Sequence, residues 1–283
     1  MAHDMTADVR GTFRRCLVKG AVCAAALALT GTVSAQPAGS RSIPDFSGFF
    51  AQNTSVYQEP ADGGRGPLGY LPGHEVPPGG RATVWVGNHL DPMLQPHNAV
   101  EVKRLSDMEA SGGVNLTAYQ LCRLLGVPLI LTQRENIQLL QKPDRITIIY
   151  QRDSQVRHIY LDVPHSENVQ PSWYGESVGH YEGDTLVVDT IGQNGLSRVD
   201  RFGSLASEAL HVTERYRVID GGQRLQVDIA VEDPNSITEP WYATQYYRRT
   251  AGQWEEDICA ENNRDARTGQ DYEGMPIATR ADF

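Results

Sequence analysis

The chain has 283 residues, 40% hydrophobic and 21% charged, with 35 acidic residues against 25 basic ones and a net charge of −10. That length is enough to bury a sizeable core, as one large domain or two small ones. The acid excess argues against nucleic acid as a partner, because phosphates demand a basic patch, and it disfavours anionic membrane surfaces.

The first stretch reads as an export signal. Arg10, Arg14, Arg15 and Lys19 form a positive region, residues 21–29 an apolar one, and Val33-Ser34-Ala35 a cleavage site made of small residues. An apolar run this short does not span a bilayer, which takes about 20 residues. Arg14-Arg15-Cys16-Leu17-Val18-Lys19 resembles the twin-arginine signal, with an ordinary secretory signal as the alternative. A periplasmic or secreted protein follows from either. Removing residues 1–35 takes away four basic and two acidic residues, which leaves 21 basic against 33 acidic and a net charge of −12. Cys16 and Cys23 leave with the signal, so Cys122 and Cys259 remain as an even pair in an oxidising compartment. A disulfide between them is expected; two separate buried thiols are the alternative.

Residues 36–45 read as a linker, and residues 46–283 as one domain. Asp45-Phe46-Ser47-Gly48-Phe49-Phe50 opens the ordered part as a first strand. From Gln58 to Gly80 the chain is rich in Gly and Pro, a long surface excursion. Residues 98–111 carry helical patterning that Gly112-Gly113 stops, and residues 115–125 suggest a second short helix.

After Val127 the period changes to two, the mark of strands with one buried face. Strands are expected at 129–132, 137–141, 145–150, 156–161, 172–181, 185–191, 209–219, 223–231, 243–249 and 253–259. Turns such as Lys142-Pro143-Asp144, Glu182-Gly183-Asp184 and Asp220-Gly221-Gly222 join them. So many consecutive antiparallel strands must curl, close or split, because an open sheet leaves unpaired edges. The expectation is a mostly β protein built as an up-and-down antiparallel barrel around a small-molecule pocket. A β-sandwich is the alternative, and the lack of an internal repeat disfavours a propeller.

Alternation also sorts the ionisable residues. Glu214 is in phase with Leu210, Val212, Tyr216 and Val218, and Glu256 with Trp254 and Ile258. An inward carboxylate needs a partner such as Arg, or carries a raised pKa suited to proton transfer. Tyr174, Glu176, Val178 and His180 share one face of a strand, with Trp173, Ser177 and Tyr181 on the other. A histidine, a carboxylate and a phenol on one face have the makings of acid–base chemistry. The alternative is that this face is the wet one. His158 and Tyr160 alternate with Val156 and His165 follows in the connection, each either a satisfied structural group or a catalytic one, and His211 lies opposite the Glu214 face. No closely spaced His pair and no Cys-x-x-Cys occurs, so neither a metal nor another cofactor is expected. Gly175-x-Ser177-x-Gly179 matches the letters of a nucleophile elbow, but it leads to another strand and not to a helix.

The segments that carry a family likeness are Trp173-Tyr174-Gly175-Glu176-Ser177-Val178-Gly179, Glu182-Gly183-Asp184-Thr185-Leu186-Val187-Val188-Asp189-Thr190, Glu208-Ala209-Leu210-His211-Val212-Thr213-Glu214-Arg215-Tyr216 and Cys259-Ala260-Glu261-Asn262-Asn263-Arg264-Asp265. With the opening at Asp45, they resemble a large family of exported bacterial proteins, most without an assigned activity. The chain departs from that pattern at His180-Tyr181, where Arg-Trp is commoner, and at Gln193, where an aromatic is usual. The resemblance implies a lipocalin-like barrel, an architecture that also serves cofactor-free phenolic acid decarboxylases. The chain is further similar to sphingomonad enzymes that decarboxylate or deformylate lignin-derived phenylcoumarans.

The resemblance thus implies a cofactor-independent lyase on a phenolic aromatic, working through a quinone-methide-like intermediate. His180 and Glu214 are the expected proton-transfer groups and Glu176 their orienter, while Tyr174, Arg157, Tyr181 and His165 hold the substrate. A carrier for hydrophobic aromatic molecules is the rival. A small molecule is the expected partner, and a homodimer stays open.

Overall fold

A computed structural model describes residues 43–52, 54–76, 84–113, 118, 121–252 and 254–259. The chain divides into Met1–Ser40 and Arg41–Phe283. The expected signal lies outside the described residues, as do residues 115–117, 119 and 120 of the expected second helix and residues 260–265 of the last family segment; residues 121–125, the described end of that expected helix, form a turn and irregular chain instead.

The second unit is the expected closed barrel, ringed in sequence order. Its strands are β1 (Gly48–Ala51), β2 (Ile137–Gln141), β3 (Arg145–Tyr150), β4 (Val156–Leu161), β5 (Glu176–Glu182), β6 (Thr185–Ile191), β7 (His211–Ile219), β8 (Arg224–Glu232) and β9 (Trp241–Thr250). Among the described residues one α-helix, α1 (Pro96–Ala110), lies between β1 and β2. Its Asn98 is buried, donating to the Ser236 carbonyl and accepting from the Leu205 amide.

The ring departs from the sequence expectation at one seam, where β4 and β5 run parallel. Ring closure explains why. Strand direction must return to itself after one circuit, so the number of antiparallel neighbours must be even. Nine strands in a ring make nine pairings, and eight are antiparallel, which leaves one parallel. A parallel pair needs a crossover of roughly a dozen residues or more, and residues 162–175 supply it. Asp162 starts the crossover by donating its amide to the Gly179 carbonyl. At its end Gly175 takes φ +64°, where a Cβ would lie 2.2 Å from the Ile191 carbonyl oxygen. Only glycine fits there.

Alternation sets the interior as expected. Along β4, Arg157, Ile159 and Leu161 point in while Val156, His158 and Tyr160 are exposed. Along β7, Val212, Glu214 and Tyr216 point in. The pocket expected at the centre is not what they enclose. Phe50, Leu139, Ile148, Tyr150, Ile159, Val188, Val212, Tyr216, Val227 and Tyr247 are at most 2% exposed and fill it.

Two expected strands are absent. Leu129–Thr132 is a buried 3-10 turn, because a four-residue apolar run carries no period with which to tell strand from helix. It plugs one end of the barrel, where the Leu131 carbonyl accepts from Tyr247 Oη at 3.0 Å and Gln52 Nε2 at 2.7 Å. Residues 254–259 form no strand, since β9 already has β8 and β1 as neighbours and a closed ring offers no edge. Glu256, expected to face inward, is exposed. The expected disulfide joins Cys122 to Cys259, with Cα atoms 5.5 Å apart.

Candidate functional site: a cleft at the parallel seam

The parallel ladder is short, running only from Ile159↔Ser177 to Leu161↔Gly179. Before it, residues 156–158 of β4 and 174–176 leading into β5 part, and a cleft of about 430 Å³ opens between them. Arg157, His158, Tyr160, Tyr174, Glu176 and Ser177 line it, and the crossover closes it with Ser166, Asn168, Val169 and Gln170. Topology thus decides where the wall is thin.

At the floor lies Arg157, whose side chain is 1% exposed and paired with fully buried Glu214. Nε donates to Ser177 Oγ at 3.0 Å, Nη1 to Glu214 Oε1 at 3.0 Å, and Nη2 to Thr190 Oγ1 at 2.8 Å and Glu214 Oε2 at 2.5 Å. Tyr216 Oη donates to Glu214 Oε1 at 2.6 Å. Burial opposes the charge on Arg157, but the Glu214 carboxylate outweighs it and pushes the guanidinium pKa still higher. The arginine partner comes from β4, across the interior. Glu214 therefore faces inward as the sequence indicates, yet it is sealed from the cleft and held by three donors.

On the outer wall a second polar system begins at Glu176. Its Oε1 accepts from the Ser166 amide at 2.7 Å and faces His165 Nδ1 at 3.0 Å, and its Oε2 accepts from Ser166 Oγ at 2.5 Å. His165 Nε2 lies 2.8 Å from Asp189 Oδ2, and His211 Nε2 lies 2.5 Å from Asp189 Oδ1. A continuous Glu176–His165–Asp189–His211 chain results, pinning the crossover to β5 and β6. The Ser166 hydroxyl leads the interactions that hold the Glu176 carboxyl below its usual range, with the Ser166 amide and His165 adding to it against partial desolvation. For Asp189, desolvation acts upward, but hydrogen bonds from His211 and His165 outweigh it and hold the carboxyl low.

Carboxylates with depressed values stabilise the fold above the unfolded carboxylate range, and that stability is lost as the pH falls through the folded values. The melting temperature is expected to be flat from pH 7 to about 5 and to drop below about 4, less steeply in Glu176→Gln and Asp189→Asn. Variants that fall as steeply as the parent would show that the chain does not clamp the crossover.

The other expected site residues are dispersed. His180 is on the outer face of β5, its side chain 54% exposed, 3.2 Å from Glu182. The wet-face reading of Glu176 and His180 is the correct one, since Ser177, Gly179 and Tyr181 take the inward phase. His180 and Glu214 lie on opposite sides of the barrel wall and do not meet over one substrate. Tyr181 sits at the far end of β5, stacked on Phe46 at 6.2 Å and accepting from Gln141 Nε2 at 3.0 Å. Tyr174 does line the cleft, with its hydroxyl donated to Gln155 Oε1 at 2.6 Å. Burial, then the neighbouring Tyr150, keeps that phenol well above its ordinary pKa.

Sequence reasoning missed Ser166 and Asp189. Asp189 carried a usable signal, being out of phase with inward Leu186, Val188 and Thr190 and so on the wall that bears Glu176. Ser166 carried none, because only the crossover brings it back to β5. Among the described residues no group of three or more His, Cys, Asp or Glu is placed to hold a metal, and no helix is long and apolar enough to cross a membrane. A scan against protein-family models and a search of curated proteins both return no match to this chain.

Proposed function

We propose that the seam cleft binds a small phenolic aromatic compound and that the protein is a cofactor-independent carbon–carbon lyase. One observation carries this reading. Glu176 opens on the cleft while its other contacts tie it into a carboxylate–imidazole chain that reaches the outer surface at His211. A carboxylate that faces a ligand and is backed by histidine is equipped to take and return protons. Ser166 and His165 fix its orientation.

The chemistry asks little else of the protein. Glu176 takes the phenolic proton, and the conjugated ring and side chain hold the electrons as a quinone methide once a side-chain carbon is protonated. The electron pair of the breaking carbon–carbon bond then returns to the ring, and the leaving fragment is carbon dioxide, or formaldehyde if a hydroxymethyl oxygen is first deprotonated. The restored phenolate regains a proton. Atoms and electrons balance with no outside oxidant or reductant. Proton transfer thus moves from the expected His180–Glu214 pair to Glu176, with His165 as its positioning residue and Tyr174 and Arg157 still as the ligand-holding groups. A leader of twin-arginine type and a disulfide suit action in the periplasm or outside the cell.

A carrier for hydrophobic molecules is the weaker reading, since it calls for an enclosed apolar chamber and the barrel centre is occupied by side chains. The test is to incubate the purified protein with dimeric phenolics and measure released carbon dioxide and formaldehyde. Turnover is expected, with kcat about 100-fold lower or more in Glu176→Gln and unchanged in His180→Gln. Phenolics that raise the melting temperature yet stay intact over hours would establish the carrier instead.

A further inference from the structure

A phenol lyase needs proton transfer at two places that one group does not reach. The phenolic oxygen stands at one end of the ring, and the side-chain carbon to be protonated stands beyond the other. Glu176 serves the first, and the strand register shows what faces it. The parallel ladder begins at Ile159↔Ser177. One step earlier come His158 and Glu176, at the same level on the two walls of the cleft and both in the outward phase of their strands. His158 is exposed, and its ring is held from β3, where Thr147 is its cross-strand partner and Thr147 Oγ1 lies 3.1 Å from Nδ1. Among the described residues Thr147 is the ring's one hydrogen-bond partner, which leaves Nε2 as the nitrogen that can exchange protons with a ligand. The charged side chains on the same outward face of the flanking strands are Glu176 across the cleft and Arg145 on β3, the cross-strand partner of Tyr160.

We propose that His158 is the second proton-transfer residue of the cleft, its imidazolium Nε2 giving a proton to the side-chain carbon that bears the leaving group. The π pair of the side chain forms the new C–H bond, and the ring becomes the quinone methide. The bonding pair of the departing fragment then restores the double bond and the phenolate, to which Glu176 returns its proton. Loss of carbon dioxide from a carboxylate consumes one proton, and an exposed imidazole is placed to draw it from water. In formaldehyde release the neutral imidazole takes the hydroxymethyl proton instead, and no outside proton is consumed. The assignment rests on the lyase reading for its substrate, and it orients that substrate, with the phenol toward β5 and the side chain toward β4.

The test reads proton transfer to carbon apart from bond cleavage. The full chain is incubated with 4-vinylphenol in deuterium oxide, and exchange of the terminal vinyl hydrogens is followed by proton NMR, with product release from the dimeric phenolics measured alongside. The parent is expected to catalyse exchange, at least 100-fold faster than His158→Gln or Glu176→Gln, and at the same rate as His180→Gln. His158→Gln should melt with the parent, since substitution of an exposed side chain moves stability little, so its loss of exchange is not a loss of fold. The parent rate should fall on the alkaline side as the imidazolium is lost, and the residual rate of His158→Gln should lack that limb. No exchange by the parent, exchange that survives in His158→Gln, or an alkaline limb that persists there would overturn the assignment. Exchange with the expected losses but no carbon dioxide or formaldehyde would keep His158 and Glu176 as the proton-transfer pair and remove the lyase. Product release that His158→Gln leaves unchanged would keep the lyase and remove His158 from it.

Discussion

Replacing Glu214 with Ala is expected to cost about 3–5 kcal/mol of folding stability, read as a lower denaturant midpoint with an unchanged slope. The change strands the Arg157 guanidinium, 1% exposed, without a counter-ion, leaving it neutral hydroxyls such as those of Ser177 and Thr190. The burial that makes the loss severe also makes the pair dispensable as a pair. The combined variant Arg157→Met, Glu214→Leu, Tyr216→Phe removes both charges and the hydroxyl that would otherwise lose its acceptor. Ser177 Oγ and Thr190 Oγ1, 3.0 Å apart, still satisfy each other. Its stability is expected within about 2 kcal/mol of the parent, as for other buried pairs replaced by well-packed apolar side chains. It should no longer bind aromatic carboxylates. A Glu214→Ala variant as stable as the parent would mean that water reaches the pair, and the sealed floor of the cleft would have to be abandoned.

That pair also marks how far the sequence is legible. Period two in Val156–Leu161 and His211–Ile219 is enough to put Arg157 and Glu214 inside, because a strand with one apolar phase leaves its side chains no third direction. Their meeting is not legible, since it depends on the barrel bringing β4 opposite β7. The same limit explains Glu176 and His180. Alternation gives them a shared face but not which face, and the apolar phase of β5 is weak because Ser177 and Gly179 occupy it. The parallel seam escapes for a different reason. Every hairpin turn is readable from its Gly, Asp and Pro residues, but the requirement for one parallel pairing appears only once the strands are counted round a closed ring. A strand at 253–259 added to these nine would have made that count even and the seam unnecessary. The cleft therefore lies where local reading is blind.

Removing the disulfide by Cys122→Ser with Cys259→Ser is expected to cost about 5 kcal/mol on the chain-entropy account, because the cysteines lie 137 residues apart in sequence. For a domain of this size the melting temperature should fall by roughly 10–20 °C. The local consequence matters more for the site. Residues 254–259 strap the β3–β4 turn: the Asp153 amide donates to the Asp257 carbonyl at 2.9 Å, the Cys259 amide to Asp153 Oδ1 at 2.7 Å, and Gln151 Nε2 to the Glu255 carbonyl at 2.9 Å. Arg152 adds an ion pair to Asp257 at 3.4 Å. That turn holds Gln155, the acceptor of the Tyr174 hydroxyl, and leads into Val156 on the rim of the cleft. With the bridge gone, the strap loses its covalent hold, and amide exchange in residues 151–156 should rise well before the barrel melts. Exchange that rises only together with that of the core strands β7 and β8 would show the bridge acting on the whole fold, with no separate hold on the cleft.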